Sequence, residues 1–166
     1  VDDTAKKTAL RAIPYGLYVL TVAGPEGIAA ATVNWVTQTS FQPPLLVVGV
    51  KADSGVYAAV KATGAFALNM LGKGQQGVAF AFFKPARLED GRLSGEAFHA
   101  GDNGAPLLDR AFAAIECRVA EVVERGDHHI LVAEVTAAHL PHPPEGRPDA
   151  AILAMPDLGA NVFYGG

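Results

Sequence analysis

The sequence has little cysteine, little charge and no long uninterrupted apolar run, and each shortage removes a class of protein. Its single cysteine, Cys117, excludes an internal disulfide and a metal cage built on cysteine. Only 18% of the 166 residues are charged and the net charge is −4, which argues against a nucleic-acid binder, because such proteins carry a basic surface. The most apolar stretch, residues 12–36, is interrupted by Pro14, Pro25 and Glu26, so it is not a membrane-spanning helix.

What the chain has in quantity is apolar surface, since half of its residues are hydrophobic. That is enough to bury a core and excludes general disorder. The length suits one compact domain, so we expect residues 1–166 to form a single domain. Residues 1–11 are polar and lack the apolar core of a signal peptide, and the lone cysteine suits a reducing compartment. We therefore expect a cytoplasmic protein that does not bind a membrane.

Strand patterns dominate the chain, and the helices are few and short. Strands are predicted at residues 15–23, 28–40, 45–50, 66–70, 111–124 and 129–139, the last two joined by a two-residue turn at Gly126-Asp127. Helices are predicted from Ser54 to a terminating Gly64, and over residues 75–83. This pattern favours a mainly β fold, an antiparallel barrel with short flanking helices, over an alternating βαβ fold.

Two motifs suggest chemistry that their surroundings do not support. Gly72-Lys-Gly74-Gln-Gln-Gly77 matches the dinucleotide fingerprint GxGxxG, but no βαβ unit and no acidic residue at the end of a second strand accompany it, so we interpret it as a turn. His128 and His129 point to opposite faces of a strand and cannot chelate one ion together. We predict no metal site, and we expect Cys117 to be a core residue rather than a nucleophile.

Two other segments are better candidates for a ligand site. Lys51 ends a predicted strand and Ser54 begins a helix, so an ammonium, a hydroxyl and free backbone N–H groups converge there, as a phosphate requires. A capping serine and a solvated lysine would look the same. Residues 32–40 alternate amides and hydroxyls with β-formers, which suits a flat heteroaromatic ligand, although a solvated strand face would look similar.

Taken in order, these segments resemble the flavin reductase-like, FMN-binding split-barrel family. The resemblance extends from about Tyr15 to Gly166. It rests on residues 32–40 with the following Pro43-Pro44, residues 54–71, residues 76–83, Ala113 to Cys117, Gly126-Asp127-His128 with residues 130–135, and residues 162–166.

The resemblance implies a split antiparallel Greek-key barrel and a homodimer that binds FMN, with NAD(P)H as co-substrate. The leading function is then an NAD(P)H:flavin oxidoreductase, a flavin reductase that supplies reduced flavin to a partner monooxygenase. A non-catalytic FMN electron-transfer protein on the same fold, or a flavin-free ligand-binding barrel, stays open because fold membership does not fix function.

The resemblance also assigns roles to individual residues. His128 is the candidate catalytic residue beside the flavin ring, where a histidine stabilises the negative charge of the reduced ring. The candidate cofactor-binding residues are Asn34, Trp35, Val36, Thr37, Thr39 and Ser40 at the ring, Lys51 and Ser54 at the phosphate, Phe83 and Lys84 at the ribityl and phosphate end, and Tyr164. Trp35 stands where the family commonly has a small residue, so it either packs on the ring or narrows access to it.

Overall fold

A computed structural model describes all 166 residues of the chain. The strands are β1 (Tyr18–Gly24), β2 (Gly27–Val33), β3 (Val36–Ser40), β4 (Leu45–Lys51), β5 (Ala65–Met70), β6 (Leu88–Glu89), β7 (Arg92–Leu93), β8 (Phe98–Ala100), β9 (Pro106–Leu108), β10 (Ala113–Val123) and β11 (His128–His139). The helices are α1 (Asp3–Arg11), α2 (Gly55–Thr63), α3 (Gln76–Ala81) and α4 (Pro148–Ala151), with a 3-10 turn at Met155–Leu158.

Seven of the strands form one antiparallel sheet in the order β2-β1-β5-β10-β11-β4-β3. Its two edge strands, β2 and β3, are consecutive in the chain and are separated only by Asn34 and Trp35. A two-residue connection between opposite edges forces the sheet to curl back on itself. The predicted antiparallel barrel with short helices is therefore confirmed, and its split lies at Asn34-Trp35.

Helix α2 closes part of the barrel, and its bounds follow from its end residues. Ser54 caps the helix by accepting a hydrogen bond from Tyr57 N–H, and Gly64 ends it in the left-handed conformation at φ 71°. Val60 on its inner face joins the same buried cluster as Phe66 of the sheet. The predicted helix is confirmed at both ends.

The structure departs from the predicted elements in three places. Residues 28–40 are not one strand, because the chain turns at Asn34-Trp35 and the two halves pair at opposite edges of the sheet. The β10–β11 hairpin has no two-residue turn, since its last paired residues are Val123 and Ile130. Helix α1 was not predicted, and it has no buried residue.

The glycine motif forms the predicted turn between β5 and α3. Gly72 N–H donates to Gln75 Oε1 at 2.8 Å, and Gly74 takes a positive φ of 88°. The charge of Lys73 in this turn is paired within the chain, because its Nζ lies 2.6 Å from Asp157 Oδ2. No helix of the chain has the length and apolar character needed to cross a bilayer.

Candidate functional site

The split of the barrel opens onto a cavity of about 540 Å³, called here the central cavity, which is within the size range of ligand pockets. Six of the predicted site residues, from five separate parts of the chain, contribute to its walls: Asn34, Lys51, Ser54, Phe83, His128 and Tyr164. They converge because β2, β4 and the start of β11 all end at this side of the sheet, next to the first turn of α2.

One end of the central cavity is suited to an anion. Lys51 lies at the end of β4 with its side chain 60% exposed, and its ammonium lies 3.6 Å from Asp53 in a loose surface pair. The first N–H groups of a helix have no partner within the helix, and here they face the same region. The cation and the helix end together attract negative charge.

Ser54 reaches this end of the cavity with its hydroxyl already engaged. Its Oγ accepts from Tyr57 N–H at 3.2 Å and donates to Lys51 carbonyl O at 2.7 Å. The serine therefore fixes the start of α2 and holds Lys51 beside it. The Ser54 hydroxyl can donate to an anion only if its hydrogen bond to Lys51 carbonyl O breaks.

Phe83 and Lys84 are placed at the outer rim by α3. Thr32 in β2 donates two hydrogen bonds to this segment: its N–H donates to Phe82 carbonyl O at 3.0 Å and its hydroxyl donates to Ala79 carbonyl O at 2.7 Å. Phe82 is buried by this attachment while Phe83 stays exposed. Lys84 lines an adjoining cavity of about 550 Å³ that shares Lys51, Ser54 and Phe83 with the central one.

His128 and Tyr164 line the opposite end of the central cavity, and both pack against the Trp35 ring, which itself lines a neighbouring slot. The rings of His128 and Trp35 lie 4.5 Å apart between centroids, and the Tyr164 ring lies 5.3 Å from Trp35. A Cβ at Gly49 would lie 3.2 Å from the Trp35 ring, so the indole is seated directly on the backbone of β4. We call this group of rings, with the side chain of Asn34, the ring end.

His128 is held from both sides of its imidazole. Its Nδ1 lies 2.8 Å from Asp127 Oδ1, and its Nε2 is hydrogen-bonded to the Tyr164 hydroxyl. The hydrogen bond and charge of His128 lower the pKa of Asp127. Burial raises the pKa of Tyr164, an effect that the positive charge of Lys51 opposes. The imidazole is thus oriented into the cavity with an anionic carboxylate behind it.

Two polar groups at the ring end are buried, the side-chain amide of Asn34 and the indole N–H of Trp35. Asn34 is only 5% exposed, and its side-chain amide donates to Tyr164 carbonyl O at 3.3 Å. The indole Nε1 of Trp35 is buried and has no hydrogen-bond partner, the single such side-chain atom in the chain. Native interiors seldom leave a donor in that state, which makes this N–H a candidate donor to a bound ligand.

Not every predicted ring contact lies at this site. Val36 and Thr37 line a neighbouring slot of about 660 Å³, with Trp35 and His128 on its wall. Thr39 and Ser40 continue β3 away from both cavities and line neither of them. These two residues are therefore the ones that the structure does not bring together with the rest.

Several contributors to the site were not identified from the sequence. Asp127 was named only as a turn residue, although it orients His128. Ile13 and Pro14 line the slot beside Trp35 together with Tyr15, the first residue of a predicted strand, and nothing in their local pattern indicates a ligand contact. His129, on the opposite face of β11 as predicted, lies 2.8 Å from the Tyr57 hydroxyl and takes no part.

No three His, Cys, Asp or Glu side chains of the chain are grouped as a metal site. Cys117 is a buried core residue as predicted, and burial raises the pKa of its thiol to about 12. The arrangement instead provides an anion site at one end, an aromatic and amide-lined region at the other, and an imidazole between them. It suits a long ligand with a phosphate at one end and a flat, carbonyl-bearing ring at the other.

Comparison with known proteins agrees with this geometry. Residues 10–155 match the family model described as a flavin reductase like domain. The chain is 34% identical to the FMN reductase (NADH) RutF of Pseudomonas syringae over 81% of its own length and 75% of the relative. It is 35% identical to the stachydrine N-demethylase reductase subunit Stc3 of Rhizobium meliloti over 82% of its length, but spans only 58% of that relative. The solved structure of the styrene monooxygenase flavin reductase of Pseudomonas putida S12 superposes with a TM-score of 0.70 at 30% identity, covering 85% of this chain and 88% of that one.

Proposed function

This chain belongs to the flavin reductase-like domain family, and we propose that its central cavity binds FMN for reduction by NADH. It is a flavin oxidoreductase of the split-barrel fold. The observation that carries the residue assignment is the joining, within one cavity, of the Lys51 anion site and the ring end. Neither half alone distinguishes a flavin site from a capped helix or an apolar cleft.

The residues at the anion end fit a flavin phosphate. We assign it to the Lys51 ammonium and the first N–H groups of α2, with Ser54 holding that corner in place. A charge-assisted hydrogen bond of this kind contributes about 1.5–3 kcal/mol. Phe83 and Lys84 border the same corner and are assigned to the middle and phosphate end of the ligand.

The residues at the ring end fit an isoalloxazine. The unpartnered indole N–H of Trp35 and the amide of Asn34 are donors suited to its carbonyl and ring-nitrogen acceptors. A flavin held by these residues would supply the redox chemistry, as acceptor of a hydride from a dihydronicotinamide. The slot beside Trp35, with Val36 and Thr37 on its wall, is the open apolar approach for that second ring.

His128 is proposed to act on charge rather than as an obligatory proton donor. Its imidazole lines both the central cavity and the neighbouring slot. Asp127 Oδ1 lies 2.8 Å from its Nδ1 and fixes the orientation of the imidazole. A cation beside the ring stabilises the negative charge that arrives with the hydride, so it lowers the barrier to reduction.

The test is anaerobic reduction followed by visible absorbance. Purified protein is loaded with FMN, separated from free flavin and titrated with NADH or with NADPH. Loss of the oxidised-flavin absorbance with NADH supports the proposal. Tightly bound FMN that neither nicotinamide reduces would favour an electron-transfer protein, and a protein that takes up no FMN would contradict the cofactor assignment.

We further propose a homodimer that supplies reduced flavin to a partner oxygenase. Exposed apolar side chains at Ile13 and Ile130 flank the slot beside the ring end, so a second subunit placed there would cover them. Similar proteins are named as reductase components of a demethylase and a styrene monooxygenase. Light scattering should give about twice the 17.2 kDa chain mass, and a monomer at micromolar concentration would contradict the dimer.

A further inference from the structure

The C-terminal residues 162–166 cross the ring end of the central cavity. Tyr164 presents its carbonyl oxygen to the Asn34 amide at 3.3 Å and its hydroxyl to His128 Nε2. Its ring lies 5.3 Å from the Trp35 indole, whose buried nitrogen has no partner. One tyrosine therefore engages two of the polar groups assigned to the flavin ring, and it lies against the third.

These residues are held from the other side by α1, a helix that is itself outside the core. The Arg11 side chain donates from Nε to Gly165 carbonyl O at 3.1 Å and lies 4.3 Å over the Phe163 ring. The approach at Gly166 is so close that a Cβ there would lie 2.9 Å from Lys7 Cγ. Because α1 buries no residue, this attachment is to an element that is loosely tied to the protein.

The aromatic side chains of these residues are poorly buried. Phe163 and Tyr164 line a cavity of about 580 Å³ together with Tyr15 and Met155, and they are 48% and 41% exposed. A segment whose side chains are half exposed and whose anchors are a few polar contacts opens more easily than the sheet.

We propose that residues 162–166 form a strap, fastened by Arg11, that closes the ring end when no ligand is bound, and that Tyr164 competes with the flavin ring for Asn34 and His128. The inference rests on the proposed function for the identity of the ligand. The closed strap leaves the Trp35 N–H without an acceptor, a state that opening and ligand binding relieve. Binding then carries the cost of opening, because only the open fraction of the protein accepts the ring.

The first test needs no ligand, because Trp35 is the only tryptophan of the chain. Acrylamide quenching of its fluorescence measures how often the ring end is uncovered. Arg11→Met unfastens the strap and Tyr164→Ala removes its plug, so both should be quenched more strongly than wild type. Lys6→Met is the matched control, since Lys6 is a cation on the same helix that pairs with Asp3 and not with the strap. Equal quenching in all four proteins would overturn the strap.

The second test measures FMN affinity of the flavin-free proteins by titration calorimetry. If the strap is closed about 90% of the time, freeing it should tighten apparent FMN binding about tenfold, in Arg11→Met and Tyr164→Ala but not in Lys6→Met. Weaker binding by Tyr164→Ala with unchanged binding by Arg11→Met would make Tyr164 a wall of the site and overturn the competition. If no protein binds flavin, the proposed function fails, while the quenching series still decides whether the strap exists.

Discussion

Strand β11 carries a histidine at each end, and their surroundings differ in the way that a fixed structural site differs from a binding site. At its last residue, His139 Nε2 lies 2.6 Å from Glu116 Oε2, and that glutamate is fully buried. At its first residue, His128 is bonded to the exposed Asp127 and to a tyrosine of the strap. One imidazole is thus paired with a buried carboxylate of the chain itself, and the other faces a cavity.

The Glu116 end is saturated with hydrogen bonds. The second carboxylate oxygen accepts from Asn103 N–H at 2.7 Å, while the Asn103 amide donates to Phe66 carbonyl O at 3.0 Å. A Cβ at Gly101 would lie 2.6 Å from the carboxylate, so the loop closes tightly over it. Both carboxylate oxygens of Glu116 are therefore engaged within the chain.

The His128 end is the reverse case. It has an unpartnered indole nitrogen, a loosely paired lysine and contacts made by a half-exposed segment. Buried polar groups are ordinarily satisfied, so the place where satisfaction fails is the place where another molecule is expected. Substitutions at the Glu116–His139 end should therefore change stability, and substitutions at the His128 end should change ligand binding and rate.

The largest effect is expected from Glu116→Ala. It leaves the His139 imidazole and the Asn103 N–H without their acceptor in a buried place, so the free energy of unfolding should fall by about 3 kcal/mol. Urea unfolding measures the loss, and FMN affinity of the folded protein should not change. Glu134→Ala is the control, because its pair with the exposed Arg118 contributes less than about 1 kcal/mol. A similar loss in both variants would contradict a special role for Glu116.

The same carboxylate gives a pH signature. Burial alone raises the pKa of Glu116, but hydrogen bonds from Asn103, His139 and Asp102 outweigh it and the net pKa is lowered. A lowered folded pKa means that the stabilisation is present above the unfolded value of 4.5 and is lost as pH falls through the folded value. The stability gap between wild type and Glu116→Ala should therefore narrow below that pH, and a gap that widens there would refute the assignment.

The next effect is on affinity, from Lys51→Ala. Loss of a charge-assisted contact of about 1.5–3 kcal/mol should weaken FMN binding by about 10- to 100-fold. Riboflavin, which lacks the phosphate, should bind the variant and the wild type equally. Stability should hold, because the lysine is exposed and its pair with Asp53 is loose. Equal weakening for both ligands would remove Lys51 from the phosphate.

A smaller effect is expected from His128→Ala. FMN should stay bound, and its reduction by NADH in stopped flow should slow about tenfold, a change of about 1.4 kcal/mol in the barrier. His129→Ala is the matched control, since that histidine contacts Tyr57 on the other face of the strand. A wild-type reduction rate in His128→Ala would leave His128 as a turn residue that happens to line the cavity.

What the sequence predicts well is local. The bounds of α2 follow from a capping serine and a left-handed glycine, and the apolar run of β4 identifies a buried strand without reference to the rest of the chain. The anion end of the cavity was predictable for the same reason, because Lys51 and Ser54 are three residues apart. Local chemistry and local structure coincide there.

The features that could not be predicted from the sequence depend on residues that are far apart along the chain. Glu116 alternates within a β pattern like any solvent-facing residue, and only the loop around Asn103 buries it. The break at Asn34-Trp35 has no glycine or proline, and it exists because the halves of the segment pair at opposite sheet edges. Tyr164 meets Asn34 across 130 residues, a contact that no periodicity encodes.

The smallest effects on stability are expected at the Gly72–Gly77 turn, which resembles a dinucleotide fingerprint. Gly74 has a positive φ of 88° with open space around it, so Gly74→Ala should cost about 1 kcal/mol of stability through backbone strain alone. Gly77 lies inside α3 with no neighbour near its Cβ position, so Gly77→Ala should stabilise by about 0.5–1 kcal/mol.

These opposite signs are what a structural turn predicts, with FMN affinity unchanged in both variants. A dinucleotide site at the same glycines predicts a different result, since added methyl groups would obstruct the backbone there and both variants would lose ligand. Thermal unfolding and FMN titration of the pair therefore separate the two interpretations. Weaker binding in either variant would place ligand at the Gly72–Gly77 turn, and the contrast between the two ends of β11 would no longer account for where this protein binds.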